Sequence, residues 1–414
     1  MLNGKPIYFD NNATTAVAPE VLEAMLPFLQ GEYGNPSSMY AFAGKSQQAV
    51  VTAHEQGATL LGCKPEELIF TSCGTESDST AIYSALEANP DKKHFITTKV
   101  EHPAVLAMGQ FLEQRGYRVT FLGVDGKGRL DMDELKSSIS KDTALVSVMF
   151  ANNETGNIYP IAEIGAICRE RGVLFHTDAV QAVGKVKINL SELPVDYLAL
   201  SGHKIHAPKG VGALYVRRGA PFRPFLRGGH QEHGRRAGTE AVPSIVGLGR
   251  AFELAASDFD AENARLRAMR DRLESRLISS IPDAIINGDP ESRLSGTTNI
   301  SFKFIEGEAI LLMLDQWGIC ASSGSACTSG SLEPSHVLRA LGVPFTFAHG
   351  SVRLSLGRYN TMEEVDFVAE KLQSVVGRLR EISPYRHMTD EQVANEGSSC
   401  ASASCAGGCG CSGN

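Results

Sequence analysis

Residues 195–212 read VDYLALSGHKIHAPKGVG, an apolar run that ends at a polar turn containing Lys204. The apolar part predicts a buried β-strand. In open α/β sheets, ligands bind at the carboxyl ends of the strands, which is where Lys204 stands. An ammonium group placed there loses hydration, so its pKa falls and the amine becomes a nucleophile for a carbonyl, as in a Schiff base. The alternative for Lys204 alone is a lysine that extends from a strand end into solvent.

Outward from this stretch, short β-branched runs alternate with amphipathic stretches over residues 65–216. This alternation predicts an α/β layer with a mainly parallel sheet. The predicted strands are ELIFTS, KHFITTK, YRVTFLG, TALVSVMFA, GVLFHTD, DYLALS and GALYVRR. Residues 242–280 suit one long helix that leaves this layer. A smaller unit then follows, with strands TTNISFKF, GICASSG and GSVRLSLG and helices EGEAILLMLDQ and HVLRALG.

Composition excludes several classes of protein. The chain has 414 residues, 43% of them hydrophobic and 21% charged, which is ordinary for a globular protein with a large core and a second unit. The net charge of −8 comes without a basic stripe, which argues against nucleic-acid and membrane partners. The first residues lack the pattern of a secretory signal, so the cytoplasm is the predicted location. Cysteines of the main body have no disulfide-framework spacing and are predicted to be reduced.

Two polar residues follow the predicted strand GVLFHTD. Asp178 ends it, and Gln181 comes three residues later. A buried aspartate needs a cationic partner, and the pyridinium nitrogen of pyridoxal phosphate is one. The alternative is that Asp178 caps the segment that follows.

A phosphate site is predicted where the strand ELIFTS leads into a helix through Gly74 and Thr75. Glycine lets the backbone approach an anion, and a helix N-terminus with a nearby hydroxyl group can hold a phosphate. Ser201 and His203, beside Lys204, would complete this cup. His102 and Asn153 follow two further strands, where an imidazole could stack on a ring and move protons.

Taken together, these motifs closely resemble those of the cysteine desulfurases, pyridoxal-phosphate enzymes of the class-V aminotransferase group, and in particular the nitrogen-fixation (NifS) type. The resemblance covers about residues 5–385. It is carried by FDNNATT, YGNPSS, FTSCGTESD, EHPAV, ANNETG, HTDAVQ, SGHKIHAPKG, GGHQEHGRRAGTE, SSGSACTSG and VRLSLGR. It implies fold type I, with a large domain around a mainly parallel sheet and a smaller α+β domain.

The resemblance also implies roles for individual residues. Lys204 would bind pyridoxal 5′-phosphate covalently, Asp178 would pair with the ring nitrogen, Gln181 would bond the ring hydroxyl, and His102 would stack on the ring and shuttle protons. The implied cofactor-binding set further includes Gly74, Thr75, Asn153, Ser201, Gly202 and His203. Thr239 would reach the phosphate of the partner subunit, which implies a homodimer with composite sites.

Arg353 and Cys327 are the residues predicted to handle the substrate. Arg353 lies in the apolar run SVRLSL, where a guanidinium needs an anion, and the resemblance places it with Asn153 on the substrate α-carboxylate. The alternative is a structural salt bridge. Cys327 lies in SSGSACTSG, whose small residues predict a mobile loop that suits a thiolate carrying sulfur. Cys327 is also a candidate transient iron–sulfur ligand.

The predicted activity is conversion of L-cysteine to L-alanine with sulfur transferred through a Cys327 persulfide to an iron–sulfur scaffold protein, including for nitrogenase maturation. Lys204, His102 and Cys327 are the predicted catalytic residues. A selenocysteine lyase or an aminotransferase on the same fold is the alternative, and a sulfur or metal carrier with a vestigial cofactor site is another. An aminotransferase would have no use for Cys327.

The predicted domain boundaries divide the chain into an N-terminal segment (1–15) that joins the small domain, a large cofactor-binding domain (16–260), a small domain (261–387) and a tail (388–414). The tail is rich in Ser, Gly and Ala and is predicted to be disordered. Its cysteines, Cys400, Cys405, Cys409 and Cys411, match no standard zinc spacing. An idle tail, a sulfur acceptor and a metal carrier all stay open.

Overall fold

The structure is a computed structural model that describes residues 4–323 and 334–384. Cys327 and the tail cysteines lie outside these ranges. Within the described residues, no helix is both long enough and apolar enough to cross a membrane.

Short strands of two to six residues build the sheets. In chain order they are β1 (Ile7–Tyr8), β2 (Leu68–Thr71), β3 (His94–Thr98), β4 (Arg118–Leu122), β5 (Thr143–Ser147), β6 (Leu174–Asp178), β7 (Tyr197–Ser201), β8 (Gly212–Val216), β9 (Ala284–Ile286), β10 (Thr297–Phe302), β11 (Ile319–Cys320), β12 (Ser322–Ser323) and β13 (Ser351–Ser355).

Helices alternate with the strands in the first part of the chain and dominate the middle of it. They are α1 (Pro19–Gln30), α2 (Gly44–Leu61), α3 (Gly74–Glu87), α4 (Pro103–Gln114), α5 (Met132–Ser138), α6 (Ile161–Glu170), α7 (Val242–Ser257), α8 (Phe259–Ser280), α9 (Gly307–Asp315), α10 (His336–Ala340), α11 (Phe345–Ala348) and α12 (Met362–Ile382).

The larger sheet has the strand order β2-β8-β7-β6-β5-β3-β4. The pairs from β7 through β6, β5 and β3 to β4 are parallel, and β8 is antiparallel to both β7 and β2. The mainly parallel sheet predicted from the alternation is therefore present. Since β2 runs in the same direction as β7, the carboxyl ends of β2, β3, β5, β6 and β7 meet at one edge.

Apart from the edge strand β4, most of which is partly exposed, this sheet is buried on both faces, as the near-continuous apolar runs of several strands require. One face packs against α3 and α4 through residues such as Ile69, Ile82 and Phe95. The other face contributes Phe175 and Leu200 to a larger core shared with α2, α6 and α7. Helices on both faces leave the strand ends as the exposed polar surface of the layer.

A second, antiparallel sheet has the order β12-β13-β10-β9 and shares a core with α8, α9 and α12. The start of the chain joins it: β1 pairs in parallel with β11, and Ile7 and Phe9 are buried in the same core. Asp10 forms an isolated bridge with Ser355 of β13. This arrangement brings the FDNNATT motif against the edge of the larger sheet. The domain boundaries at residues 15, 260 and 387 stay predictions.

Two elements differ from the sequence expectation. The predicted long helix over residues 242–280 is two helices that meet at Asp258, whose backbone (φ −117°, ψ 15°) is not helical. The break has a packing cause, because α7 lies against α1 and α2 whereas α8 lies against α12. The predicted strand GICASSG is likewise two short strands, since β11 pairs with β1 and β12 pairs with β13.

Candidate active site

Lys204 ends a single turn of 3₁₀ helix, Gly202–Lys204, that follows directly on β7. Its Nζ donates to the carbonyl oxygens of Asn12 at 2.6 Å and Ala13 at 2.7 Å. Burial, followed by the charge of Arg353, lowers the pKa of Lys204 to about 8, although Asp10 and Asp178 act in the opposite direction. A substantial neutral fraction therefore exists near neutral pH, as a nucleophilic amine requires.

The turn that presents Lys204 depends on a glycine. A Cβ atom on Gly202 would lie 3.0 Å from Ala207 Cβ, 3.0 Å from Val211 Cγ1 and 3.1 Å from the Val211 carbonyl oxygen. The backbone N–H of Gly202 donates to the same carbonyl at 3.0 Å. The close approach of these two segments fixes the direction in which the chain leaves β7.

Asp178 is the last residue of β6, next to β7 in the sheet, and is 4% exposed. Its Oδ1 accepts a hydrogen bond from the backbone N–H of Val180 at 2.8 Å. Burial raises the pKa of Asp178, and the nearby His102 and Lys204 lower it. A cation in contact with this carboxyl group would favour its charged form, and a pyridinium nitrogen is such a cation.

Two further buried carboxyl groups stand near Asp178. Burial raises the pKa of Asp78 well above its usual range and that of Glu101 to about 8, and in both cases the charge of Asp178 adds to the effect. Glu101 is therefore mainly protonated at neutral pH, and the pKa of Asp78 is shifted in the same direction. Asp178 is left as the carboxyl group best placed to carry the negative charge of this region.

His102 is the N-cap of α4 and lies a short turn beyond the end of β3. Its Nδ1 accepts a hydrogen bond from the backbone N–H of Ala104 at 3.2 Å, so the neutral ring carries its proton on Nε2. Desolvation lowers the pKa of His102, and Asp178 opposes this shift. The neutral imidazole is thus fixed in one tautomer, with Nε2–H available to a ligand.

The phosphate cup predicted at the start of α3 has the expected parts. Cys73 makes no side-chain cap, and a Cβ on Gly74 would lie 2.7 Å from Val180 Cγ2 and 3.5 Å from Ser201 Cβ. The Oγ atom of Ser201 is buried and has no hydrogen-bond partner in the part of the chain that the structure describes. Thr75 is exposed at the first turn of the helix. Uncapped N–H groups beside a buried, unpaired hydroxyl group suit a bound phosphate.

His203 is held at the same edge by the N-terminal segment. Its Nδ1 lies 3.1 Å from Thr14 Oγ1, and its carbonyl oxygen accepts a hydrogen bond from Thr15 N at 2.9 Å. Burial, followed by the charges of Lys204, Lys209 and Lys185, lowers the pKa of His203 to about 4. The ring is therefore neutral at physiological pH.

Arg353, in the middle of β13, forms a salt bridge within the protein, with Asp10, which is the alternative given above to a contact with the substrate carboxylate. Arg353 Nη2 lies 2.7 Å from Asp10 Oδ1, and Nη1 donates to the Asn153 carbonyl oxygen at 3.0 Å. The Nε atom of Arg353 is buried and has no hydrogen-bond partner among residues 4–323 and 334–384. One edge of the guanidinium group is thus paired with protein and another is left for a ligand.

Sequence reasoning missed the contribution of the N-terminal segment and of Lys185. Asn12 donates from Nδ2 to the Asn153 carbonyl oxygen at 3.1 Å, and its own carbonyl oxygen accepts from Gln181 Nε2 at 2.8 Å. Lys185 Nζ lies 2.9 Å from Gln181 Oε1. The available signal was the polar DNN sequence directly after the apolar residues of β1.

Comparison with known proteins adds an independent result. The aminotransferase class-V family model matches residues 7–368. A cysteine desulfurase of Trichormus azollae is 60% identical over 381 residues, covering 92% of this chain and 95% of that protein. The cysteine desulfurase NifS of Azotobacter vinelandii is 55% identical over 380 residues, covering 92% and 94%. A solved NifS-like protein aligns with a TM-score of 0.85 at 39% identity, covering 90% of this chain and 100% of that one.

The chain belongs to the cysteine desulfurases. The family and the fold predicted from the motifs are confirmed, and with them the predicted class of enzyme. Membership of this desulfurase family implies pyridoxal phosphate as the cofactor. The residues described above fit that group, because Asp178 is a carboxyl group whose burial raises its pKa and Ser201 has a buried hydroxyl group with no partner among the described residues.

Cys327, on which desulfuration would depend, lies outside the described residues, but the segments on either side of it do not. Ser322 is paired with Arg353 in the register of β12 and β13. On the other side, Ser335 Oγ bonds Glu154 Oε2 at 2.5 Å, and His336 Nε2 lies 2.9 Å from the Glu101 carbonyl oxygen. The residues before the segment therefore contact Arg353, and those after it contact the sequence neighbours of Asn153 and His102.

Thr239 is exposed in this chain and is not brought into the site by it. It lies three residues after Arg236, which bonds Glu76 at 2.9 and 3.1 Å beside the phosphate cup. Within the ranges that the structure covers, no group of three or more His, Cys, Asp or Glu side chains could hold a metal ion.

Proposed function

We propose that this cysteine desulfurase converts L-cysteine to L-alanine and transfers the substrate sulfur to Cys327 as a persulfide. The observation that carries the proposal is that Lys204, a lysine with a pKa of about 8, stands at the same sheet edge as Asp178 and shares its electrostatic surroundings with Arg353. Lys204 would supply the amine, Asp178 a carboxylate that pairs with a cation, and Arg353 a guanidinium group that binds a carboxylate.

Several of the chain's own residues would hold the cofactor. Lys204 would bind its aldehyde carbon, Asp178 its ring nitrogen and Gln181 its ring hydroxyl group. Gly74, Thr75, Ser201, Gly202 and His203 would surround its phosphate. When bound, pyridoxal phosphate supplies an electron sink that stabilises negative charge on the substrate carbons.

Arg353 would bind the substrate α-carboxylate through its unpaired Nε and the second hydrogen of Nη2, with Asn153 beside it. The contact with Asp10 supports this, because it uses one N–H of the guanidinium group and leaves a bidentate edge open. Proton transfers at the substrate carbons would fall to Lys204 Nζ and His102 Nε2. How the individual steps are divided between them stays open.

Sulfur transfer would be carried out by the Cys327 thiolate. It attacks the substrate sulfur, an S–S bond forms, the bond between Cβ and sulfur breaks, and the electron pair stays on the substrate carbon until a proton completes alanine. Cys327 follows Ser323, the last described residue before it, by four positions in the sequence. The start of this segment beside Arg353 supports its access to the substrate.

The experiment that tests this function incubates the purified enzyme with pyridoxal phosphate, L-cysteine and a thiol reductant, without any keto acid. We expect equal amounts of alanine and sulfide. Cysteine consumption that requires an added keto acid, and that yields the amino acid of that keto acid without sulfide, would instead indicate an aminotransferase.

Further proposals concern assembly and partners. The enzyme would be a cytoplasmic homodimer in which Thr239 reaches the phosphate of the partner subunit. An exposed apolar stripe on α1, formed by Leu22, Leu26 and Leu29 at 49%, 39% and 57% exposure, supports such an interface. The sulfur acceptor would be an iron–sulfur scaffold protein, including one that serves nitrogenase, with Cys327 as a transient cluster ligand.

A further inference from the structure

Lys185 is a second lysine amine at the cofactor site, four residues after Gln181. Its Nζ lies 2.9 Å from Gln181 Oε1 and 3.3 Å from Asn12 Oδ1. It lines the same cavity as Asn12 and Lys204. Among residues 4–323 and 334–384, no carboxylate forms an ion pair with it. Its hydrogen-bonding partners are neutral amides, which is an unusual setting for an enclosed lysine.

The contact with Lys185 determines which way the Gln181 amide faces. An ammonium group can only donate hydrogen bonds, so the oxygen of the amide must face Lys185. The amide nitrogen therefore faces away from Lys185, and it donates to the Asn12 carbonyl oxygen at 2.8 Å. Lys204 Nζ donates to that same oxygen at 2.6 Å. The Gln181 N–H and the Lys204 amine thus converge on one oxygen atom.

This convergence matches the chemistry of the cofactor. In pyridoxal phosphate the ring hydroxyl group is on the carbon next to the one that bears the aldehyde. A cofactor bound through Lys204 therefore brings an oxygen atom close to the Lys204 nitrogen, where the Gln181 N–H donates. A donor facing that oxygen, with a cation behind the donor, favours the anionic form of the oxygen.

The charges around Lys185 make it responsive to such an anion. Burial, followed by the charges of Lys204 and Arg353, lowers the pKa of Lys185 to about 7, and Glu262 opposes the shift. The other titratable groups that interact electrostatically with Lys185 are His203 and His206. Near neutral pH the amine is close to half protonated. A negative charge arriving at the site would shift it towards the ammonium form.

We infer that Lys185 is a positioning residue: it holds the Gln181 amide with its N–H towards the ring oxygen of the cofactor and keeps that oxygen anionic. The inference rests on the proposed function, because it requires pyridoxal phosphate to be bound at Lys204. A cation near the ring oxygen also disfavours protonation of the Lys204-linked nitrogen beside it. Lys185 therefore lowers the pH at which the bound cofactor changes colour.

The test compares the cofactor-loaded wild type with Lys185→Met, Lys185→Arg and the control Lys187→Met. Lys187 is close in sequence, but it is exposed and pairs with Asp260 at 2.9 Å. The measurement is the pH midpoint of the change in the visible absorption band, with cofactor content and circular dichroism recorded for each protein. For Lys185→Met we expect an upward shift of about one pH unit, from the loss of one nearby charge. Lys185→Arg and Lys187→Met should stay near the wild type.

The possible outcomes distinguish a failure of the inference about Lys185 from a failure of the proposed function. If Lys185→Met folds but binds much less cofactor than Lys185→Arg, the lower cofactor content also supports the inference, because it shows that a cation at position 185 is needed to hold the cofactor. Equal midpoints and equal cofactor content in Lys185→Met and Lys187→Met would overturn it, as would Lys185→Arg behaving like Lys185→Met. A wild type that shows no visible band with pyridoxal phosphate would instead contradict the proposed function.

Discussion

Lys204 illustrates how a single residue acquires its chemistry from its position. An unperturbed lysine has a pKa of about 10.4 and is almost fully protonated near pH 8. At the end of β7, burial and the charge of Arg353 lower the pKa of Lys204 to about 8. The free base that attacks a carbonyl is therefore abundant in a pH range where an ordinary lysine provides very little.

This shift predicts the pH dependence of cofactor attachment. In the cofactor-free protein, the rate of visible-band formation with pyridoxal phosphate should rise with pH and level off above about 8, because only the neutral amine reacts. The measurement is the absorbance change after mixing, over pH 6–10. A rate that keeps rising to pH 10 would show that Lys204 titrates like an ordinary lysine.

Replacing the amine gives a second prediction. Lys204→Ala should lose the covalent attachment of the cofactor, its visible band and all turnover, since Lys204 is the residue at the end of β7 that would form the bond. Lys187→Ala, an exposed lysine paired with Asp260, is the control and should keep all three. Turnover by Lys204→Ala at even a modest rate would exclude the assignment.

The third prediction concerns Arg353. Loss of a charge-assisted bidentate contact costs about 2–4 kcal/mol, so Arg353→Ala should weaken the apparent affinity for cysteine by a factor of tens or more. Arg272→Ala, which removes a guanidinium group from a surface pair with Asp366, should leave it unchanged. The measurement is KM together with thermal stability. Lower stability with an unchanged KM would mean that the pair with Asp10 is purely structural.

At this scale the sequence predicted residue types better than contacts. An arginine inside an apolar strand needs an anion, and one is present. The identity of that anion, Asp10, could not be predicted, because 343 positions separate the two residues. Lys185 was missed for a related reason: its partner Asn12 belongs to a segment that reaches the site only through the pairing of β1 with β11.

At the scale of secondary-structure elements, the proposed phosphate cup is built from the start of α3 and the end of β7. Ser201 contributes a buried hydroxyl group that has no partner within the described part of the chain, next to the position of Gly74. A hydrogen bond to a charged group contributes about 1.5–3 kcal/mol. The cup should therefore distinguish ligands that carry a phosphate from those that do not.

Ser201→Ala should raise the Kd for pyridoxal phosphate about tenfold or more and leave the weaker binding of pyridoxal, which lacks the phosphate, nearly unchanged. Fluorescence or absorbance titration of the cofactor-free protein measures both constants. Ser137→Ala, a change on the exposed surface of α5, is the control. Equal weakening for both ligands would indicate that Ser201 supports the fold rather than the phosphate.

Strands and helices were predicted correctly where local hydrophobic patterning alone determines them. Strands β2, β5 and β7 of the larger sheet are buried on both faces, so their apolar runs were visible in the sequence. The break at Asp258 was not visible in the sequence, because the pattern stays helical on both sides of it. Only the different packing partners of α7 and α8 require a turn there. The division of GICASSG also depends on pairing with strands remote in sequence.

At the scale of the whole molecule, strand order determines which strand ends meet. The neighbours β2 and β8, or β3 and β5, are not consecutive in the chain, and this order brings residues from position 74 to position 204 to one edge. The rule that ligands bind at the carboxyl ends of strands is the basis for placing the candidate site at this edge. The strand order itself has no periodic signal in the sequence and was not predicted.

The proposed homodimer gives the prediction at this scale. If Thr239 completes the site of the partner subunit, mixing inactive Lys204→Ala with weakly cofactor-binding Thr239→Ala should create hybrid dimers with one native site. Random exchange should restore high-affinity cofactor binding to about a quarter of all sites. Sedimentation confirms the dimer, and titration at low cofactor concentration counts the sites. No gain over the separate variants would contradict composite sites.

The most direct test of the central claim is to locate the sulfur after a single turnover. Wild type, Cys327→Ala and Cys320→Ala are each mixed with L-cysteine without reductant. Persulfides on the protein are then mapped by mass spectrometry, and alanine is quantified. Cys320 is the matched control, since it lies in β11 and burial raises its thiol pKa. We expect a persulfide on Cys327 in wild type and Cys320→Ala, and bound cofactor without alanine or persulfide in Cys327→Ala. Wild-type amounts of alanine and sulfide from Cys327→Ala would contradict the account.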